Sequence, residues 1–324
     1  MISEFHLRGW QRISDVEIVA LGNRTIGRAE GRRDQFFPHA RVYDSLEKML
    51  EKERLDFVDI LTAPWLHREH CLLAGAAGAH VICQKPLCDS LEDARGLVKS
   101  MAGHSRLFAV HENHRYRPWF QKVLALHRQG FFGAPLVLRL EQYDSSEPPE
   151  RYKVEAGHGV LLEYGTHLVD MMAALLRDPK RVYARLYHLN PEMRGESHAL
   201  VMYEYPVASA AIDIAWQAGG PPHGSFLLQG PQGVAYYEGT MARGASARFR
   251  VAQRNATVID ETRSPYDDYV ESFYLFEREC VDCMLSGALV TQSGAENLIA
   301  LTATFAAYAA AKSGGVVDVA VFSR

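Results

Sequence analysis

The opening part of the chain alternates short apolar runs with longer amphipathic ones. Residues 16–21 (Val-Glu-Ile-Val-Ala-Leu) end at Gly22-Asn23-Arg24-Thr25, and further apolar runs follow at 40–43, 57–61, 81–83 and 107–110. Runs this short and this apolar suit strands buried on both faces. Between them, residues 27–33, 45–52, 67–75 and 90–100 carry helical spacing. Asp44 or Ser45 can cap the second of these helices, with Glu47 in its first turn. Strand and helix in strict alternation predict a parallel, doubly wound sheet.

At Arg115-Tyr-Arg-Pro118 the rhythm changes, and a hinge is expected there. A helix over 119–129 and a turn at Phe131-Phe-Gly-Ala-Pro135 lead into period-two runs at 136–143, 181–187, 199–205, 208–216, 224–229 and 233–237. Strands that follow one another without helices between them predict a largely antiparallel open sheet, with a helix around residue 163 packed on it. Two helices, 267–285 and 294–312, close the chain. The expectation is an α/β domain over 1–117 and an α+β domain over 118–324.

Composition narrows the class of function. With 324 residues, 48% hydrophobic and 23% charged, the chain can build two cores. A net charge of -4 gives no basic footprint for nucleic acid and no polybasic anchor for a membrane, so the expected partner is a small molecule. The apolar runs are too short for a membrane span, and Glu4, His6, Arg8 and Arg12 interrupt any signal-peptide core, so a cytoplasmic protein is expected. The five cysteines form no disulfide framework. Cys280 and Cys283 have redox or metal spacing but lie in a helical run with no second pair nearby, so no metal is expected.

Two stretches carry candidate chemistry. In Val81-Ile-Cys-Gln-Lys-Pro-Leu87, Pro86 ends a strand and leaves Lys85 at the carboxyl edge of the sheet, where ligands of α/β folds bind; the alternative is a surface lysine before a turn. In Gly157-His-Gly-Val-Leu-Leu-Glu-Tyr-Gly-Thr-His-Leu-Val-Asp170, Glu163 and His167 stand four apart, a carboxylate and an imidazole on one helix face. His167 is the general-base candidate, because an imidazole titrates near neutrality. The glycines at 157, 159 and 165 suggest close backbone approach to a ligand. The segment Thr62-Ala-Pro-Trp-Leu-His67 follows a strand and opens a helix, whose N-terminal amides suit part of a cofactor. Arg115, Tyr116, Trp119, Tyr152, Lys153 and His158 offer ring faces and donors suited to a sugar or hydroxy acid, a solvated loop with structural aromatics being the alternative.

Together these stretches resemble the Gfo/Idh/MocA oxidoreductases, over essentially the whole chain. The family's Glu-Lys-Pro motif is matched by Gln84-Lys85-Pro86, its Gly-Gly-x-Leu-x-Asp-x-Gly-x-His-x-x-Asp motif by residues 158–170, and its Arg-Phe-x-Pro hinge by Arg115-Tyr116-Arg117-Pro118. Glutamine replaces glutamate at 84, and glutamate replaces aspartate at 163. The resemblance implies a Rossmann-type dinucleotide-binding domain followed by a substrate-binding and oligomerisation domain, in a homodimer or homotetramer. It implies hydride transfer between NAD or NADP and a secondary alcohol of a sugar or polyol. His167, Glu163 and Lys85 would be catalytic, and a cis peptide at Lys85-Pro86 would be common. Asn23, Arg24, Thr62, Pro64, His67, Gln84 and Lys85 would face the cofactor. Neutral Asn23 followed by Arg24, at the end of the 16–21 strand, favours NADP. Alternatives are an NAD-using glycosidase on the same scaffold, or a cofactor-free binding protein or inactive fragment.

One family feature is missing. No Gly-x-Gly-x-x-Gly occurs in the sequence, and Met1–His6 reads as the helix that should follow such a loop. In the strand order 3-2-1-4-5-6 the absent strand is a central one. The expectation is a gap in the sheet between residues 16–21 and 57–61, and a working protein that begins upstream with an apolar strand and a glycine-rich loop.

Overall fold

The computed structural model describes residues 2–144, 155–216, 219–240, 246–254 and 256–322. The chain divides into two compact units, Met1–Glu112 with Val270–Asn297, and Asn113–Tyr269 with Leu298–Arg324. Residues 270–297 thus pack with the first unit, where the sequence pattern placed all of 118–324 in the second.

In the first unit, α1 (Ile2–Trp10) precedes an alternation of β1 (Ala20–Gly22), α2 (Ile26–Phe36), β2 (Arg41–Tyr43), α3 (Leu46–Lys52), β3 (Phe57–Ile60), α4 (Pro64–Ala76), β4 (His80–Gln84), α5 (Leu91–Met101) and β5 (Phe108–His111). Every ladder among these strands is parallel. Ser45 and Ser90 cap α3 and α5, each accepting the backbone N–H three residues on, and Pro64 fills the first position of α4. The strands form two separate ladders, β1-β2 and β3-β4-β5. The break falls where the 3-2-1-4-5-6 order places its first strand. It also explains why the strand expected over 16–21 pairs only from Ala20: a strand with one short neighbour is held only along the stretch that neighbour covers. Residues 292–293 lie antiparallel on β5, Val110 donating to the Gln292 carbonyl at 2.9 Å.

The second unit is a nine-stranded mixed sheet. After a 3-10 turn (Asn113–Tyr116) and α6 (Pro118–Arg128), β6 (Leu136–Asp144) leads to a π-helical turn (Leu161–Gly165) continued by α7 (Thr166–Leu176). Then come β7 (Arg181–Tyr187), β8 (His198–Tyr205), β9 (Ala208–Trp216), β10 (His223–Gln229), β11 (Gly233–Glu238), β12 (Ala247–Gln253), β13 (Ala256–Arg263), α8 (Pro265–Ser286), which from Val270 on belongs to the first unit, α9 (Gly294–Ser313) and β14 (Val317–Asp318). The order is β13-β12-β11-β10-β6-β9-β8-β7-β14, antiparallel except where β6 meets β9. Alternate residues face the core, Leu136, Leu138 and Leu140 on β6 and Ala199, Val201 and Tyr203 on β8. They pack against α7 and the alanine face of α9 (Ala300, Ala303, Ala307, Ala310). β12 and β13 were not legible in the sequence. Their outward positions are charged, with Arg248 paired to Asp260 and Arg250 to Glu238, as suits the edge of a sheet.

Candidate active site

The Lys85 turn begins where β4 ends. Residues 81–84 and 86–88 are buried and Lys85 alone among them is partly exposed, so the strand turns one side chain out of its buried surroundings at the carboxyl edge of its ladder. The Lys85-Pro86 peptide is cis. His67, fully buried on α4, braces the turn from one side. Its Nδ1 lies 3.0 Å and 3.2 Å from the Pro86 and Leu87 carbonyl oxygens, and its Nε2 2.9 Å from the Thr62 carbonyl. Burial pulls its pKa below the ordinary 6.5, against the opposing pull of the three carbonyls. Gln84 braces the other side, accepting the Lys85 N–H at 2.8 Å on its own amide oxygen.

These contacts correct two sequence assignments. His67 and Gln84 were expected to face the cofactor, yet both side chains are spent inside the domain on holding the Lys85 turn. Pro64, expected there too, is buried as the first residue of α4. Thr62, Asn23 and Arg24 do stand exposed beyond the carboxyl ends of β3 and β1. The Thr62 hydroxyl meets His70 Nδ1 at 3.1 Å, and the Asn23 side chain accepts the Thr25 N–H at 2.9 Å, shaping the turn into α2.

In the second unit, Glu163 lies in the π-helical turn and His167 in the first turn of α7, both buried. Single π-helical turns are frequent at functional sites. The His167 ring centroid is 4.0 Å from that of His114 and 5.6 Å from that of Tyr164. His114 is a buried member of this group that sequence reasoning missed, although it adjoins the Arg115 motif.

The start of this helix is held by another unforeseen residue, Glu196. Its side chain accepts the backbone N–H groups of Gly159 (3.0 Å) and Leu161 (2.9 Å) and the Tyr308 hydroxyl (2.7 Å). The Tyr308 oxygen in turn accepts the Leu162 N–H at 3.1 Å. A glutamate from a distant loop therefore caps amides that the helix cannot satisfy itself. The glycines take on a different meaning here. A Cβ on Gly159 would sit 1.8 Å from the Glu196 carbonyl oxygen, so its close neighbour is the protein's own backbone and not a ligand. A Cβ on Gly165 would meet Leu161, and one on Gly157 would meet nothing.

The expected substrate residues divide. Arg115 forms a buried bidentate pair with Asp170, at 2.7 Å and 2.6 Å, tying the 3-10 turn to α7. Trp119 is fully buried, stacked on Tyr237 at 4.4 Å with Phe226 and Phe249 around it, so it is a core residue. Tyr116, in the same 3-10 turn as Arg115, is buried. His158 is half-buried, its ring 4.8 Å from that of Tyr308. Tyr152 and Lys153 lie outside the described residues. Cys280 and Cys283 are free buried thiols on α8, pushed up in pKa by burial, which removes the reactivity their spacing suggested.

Residues 1–112 match the oxidoreductase family with an NAD-binding Rossmann fold, and residues 120–236 match the GFO/IDH/MocA C-terminal domain. The chain belongs to the Gfo/Idh/MocA family. As a member it is a nicotinamide-dependent oxidoreductase, with the Rossmann-type and largely antiparallel domains the resemblance implied. Among its Gfo/Idh/MocA relatives, it is 29% identical to a D-apiose dehydrogenase of Paraburkholderia graminis, over 98% of this chain and 86% of that one. It is 27% identical to a D-apiose dehydrogenase of Rhizobium rhizogenes, over 97% and 93%. A solved structure, an oxidoreductase from Agrobacterium radiobacter in complex with NAD+, L-tartaric acid and magnesium, superposes with a TM-score of 0.89 at 25% identity, covering 99% of this chain and 96% of that one.

Proposed function

We propose that this chain moves a hydride between a nicotinamide cofactor and a secondary hydroxyl of a sugar, polyol or related hydroxy compound. The two D-apiose dehydrogenases aligned along nearly its whole length support a small sugar as substrate. The observation that carries the reading is Lys85, partly exposed at a strand end whose flanking residues are buried and braced from two sides. A side chain presented at such structural cost has work to do there. Its ammonium steadies negative charge as it develops on the substrate oxygen, and His167 takes up or returns the hydroxyl proton. Glu163, within the π-helical turn, orients the imidazole or holds a substrate hydroxyl.

The cofactor, when bound, accepts or returns the hydride. Exposed Asn23 and Arg24 would hold its adenosine ribose, while Thr62 and Lys85 would serve its reactive end. A neutral amide followed by a guanidinium suits a 2′-phosphate better than a bare 2′-hydroxyl, so NADP is the preferred form.

Lys85→Ala removes the charge without opening a core cavity, so turnover is lost while the melting temperature changes little. His167→Asn lowers kcat by about 10²- to 10⁴-fold, the usual cost of losing a general base. Near-normal kcat in both variants would sink these assignments. Product analysis keeps the reaction class honest, since a ketone supports the dehydrogenase and a released sugar the glycosidase. Titration with both cofactors tests the preference, and much tighter binding of NAD than of NADP would reverse it.

A further inference from the structure

The Lys85 turn is tied to a buried chain of polar groups whose direction follows from donors that have no choice. The Lys85 N–H can only donate, so the Gln84 atom 2.8 Å away is the amide oxygen. The Gln84 amide nitrogen therefore faces the opposite way, 2.8 Å from Nε2 of His6. An amide NH2 has only hydrogens to offer, so Nε2 presents its lone pair and the imidazole proton sits on Nδ1. Nδ1 lies 2.9 Å from Asp59 Oδ2, an atom that also accepts the Trp10 indole N–H at 2.8 Å. Every donor in the chain points toward Asp59, and aligned bonds of this kind, shielded from bulk water, reinforce one another.

Three neighbours suggest a different use. His6, His111 and Glu277 come within 4.8 Å of one another, close enough to share a metal ion. Both ring nitrogens of His6 are already engaged, however, so it has no lone pair left for a metal unless the chain breaks. Burial also raises the Glu277 carboxyl well above its ordinary range, toward the neutral acid, which is a poor ligand. Its Oε2 would be 2.0 Å from a Cβ on Gly9, so α1 packs directly over it.

We propose that Gln84 is a positioning residue for Lys85: its amide selects the Nδ1–H tautomer of His6 and, through it, anchors to Asp59 the backbone from which Lys85 projects. The inference rests on the reading of Lys85 given above. A carboxylate at position 84 would present His6 with a second acceptor opposite Asp59, and the imidazole could satisfy both only with two protons. The glutamine holds the chain with one.

Nitrogen NMR of the 324-residue chain carrying isotope-labelled histidine reads this directly, with His6 assigned by the signal lost in His6→Asn. The expected spectrum at neutral pH has His6 protonated at Nδ1 and bare at Nε2. In Gln84→Glu both nitrogens become protonated. Gln84→Leu, which loses both bonds, lowers kcat by about 10²-fold with a smaller change in KM, the cost of misplacing a reacting group by about an ångström. Gln84→Glu still accepts the Lys85 N–H and recovers most of that loss. A wild-type His6 protonated at Nε2 would overturn the proposal while leaving the role of Lys85 intact, and so would a folded Gln84→Leu with normal kcat. Should Lys85→Ala keep its turnover, the reading beneath the proposal fails, whatever tautomer His6 shows.

Discussion

Glu277 shows how much a residue's meaning depends on where it is buried. In the sequence it is one more acidic position on a helix; in the fold it is completely buried on α8, and loss of hydration raises its pKa well above the ordinary 4.5. Between 4.5 and that raised value the folded state holds a proton that the unfolded state has released. The carboxyl's contribution to stability is therefore full below 4.5 and drains away as pH rises through the folded value. Glu277→Gln keeps the shape and removes the titration. Its melting temperature relative to the native chain should climb as pH is raised from 4.5 toward neutrality, and a constant difference across that range would show that the carboxyl is not held neutral. Trp119 makes the same point from the other side. An aromatic beside a hinge motif suits a sugar's ring face, yet here the indole fills the core. Nothing local distinguishes these fates, because both call for a large apolar surface.

At the scale of an element, the helix that carries Glu163 and His167 depends on a residue more than thirty positions away in sequence. Glu196 satisfies two amides at its start and is itself held by Tyr308. Replacing Glu196 with glutamine leaves too few acceptors for three buried donors, which should cost about 1–3 kcal/mol in urea denaturation. It should also lower kcat more than it alters KM, because the turn that aims His167 loosens. Unchanged stability would mean that the first turn of the helix holds itself. Tyr308→Phe removes only one of these donors and should have a smaller effect.

For the whole molecule, the outward face of the nine-stranded sheet is the notable surface. Val137, Leu200, Met202 and Tyr236 are exposed at outward positions, beside charged residues such as Arg139 and Glu204. An apolar face with a charged surround suits self-association, and a homodimer or homotetramer formed through it is the expected assembly. Sedimentation should show a species larger than the 36.3 kDa chain, and Met202→Glu should shift it toward the monomer. A native chain that sediments as a monomer at micromolar concentration would end this expectation. Among the described residues no helix is long and apolar enough to cross a membrane.

The sequence by itself determined the elements and their class. Period-two and helical spacings, Ser45 and Ser90 as caps, and Pro86 as a strand stop are local signals, because they reflect how one stretch of backbone buries a face or satisfies its own ends. They also put Lys85 at a strand end and Glu163 and His167 on one helix. Only the tertiary structure decided which polar residues brace the site and which are left to act at it. His67 and Gln84 turned inward to hold the turn, Arg115 was committed to Asp170, His114 joined His167 from beside the Arg115 motif, and His6, Asp59 and Glu196 were drawn in from elements with no motif to mark them. A buried donor or acceptor must be paired, and its partner is whatever group the fold brings within about 3 Å. That partner can lie anywhere along the chain, so no local pattern records it.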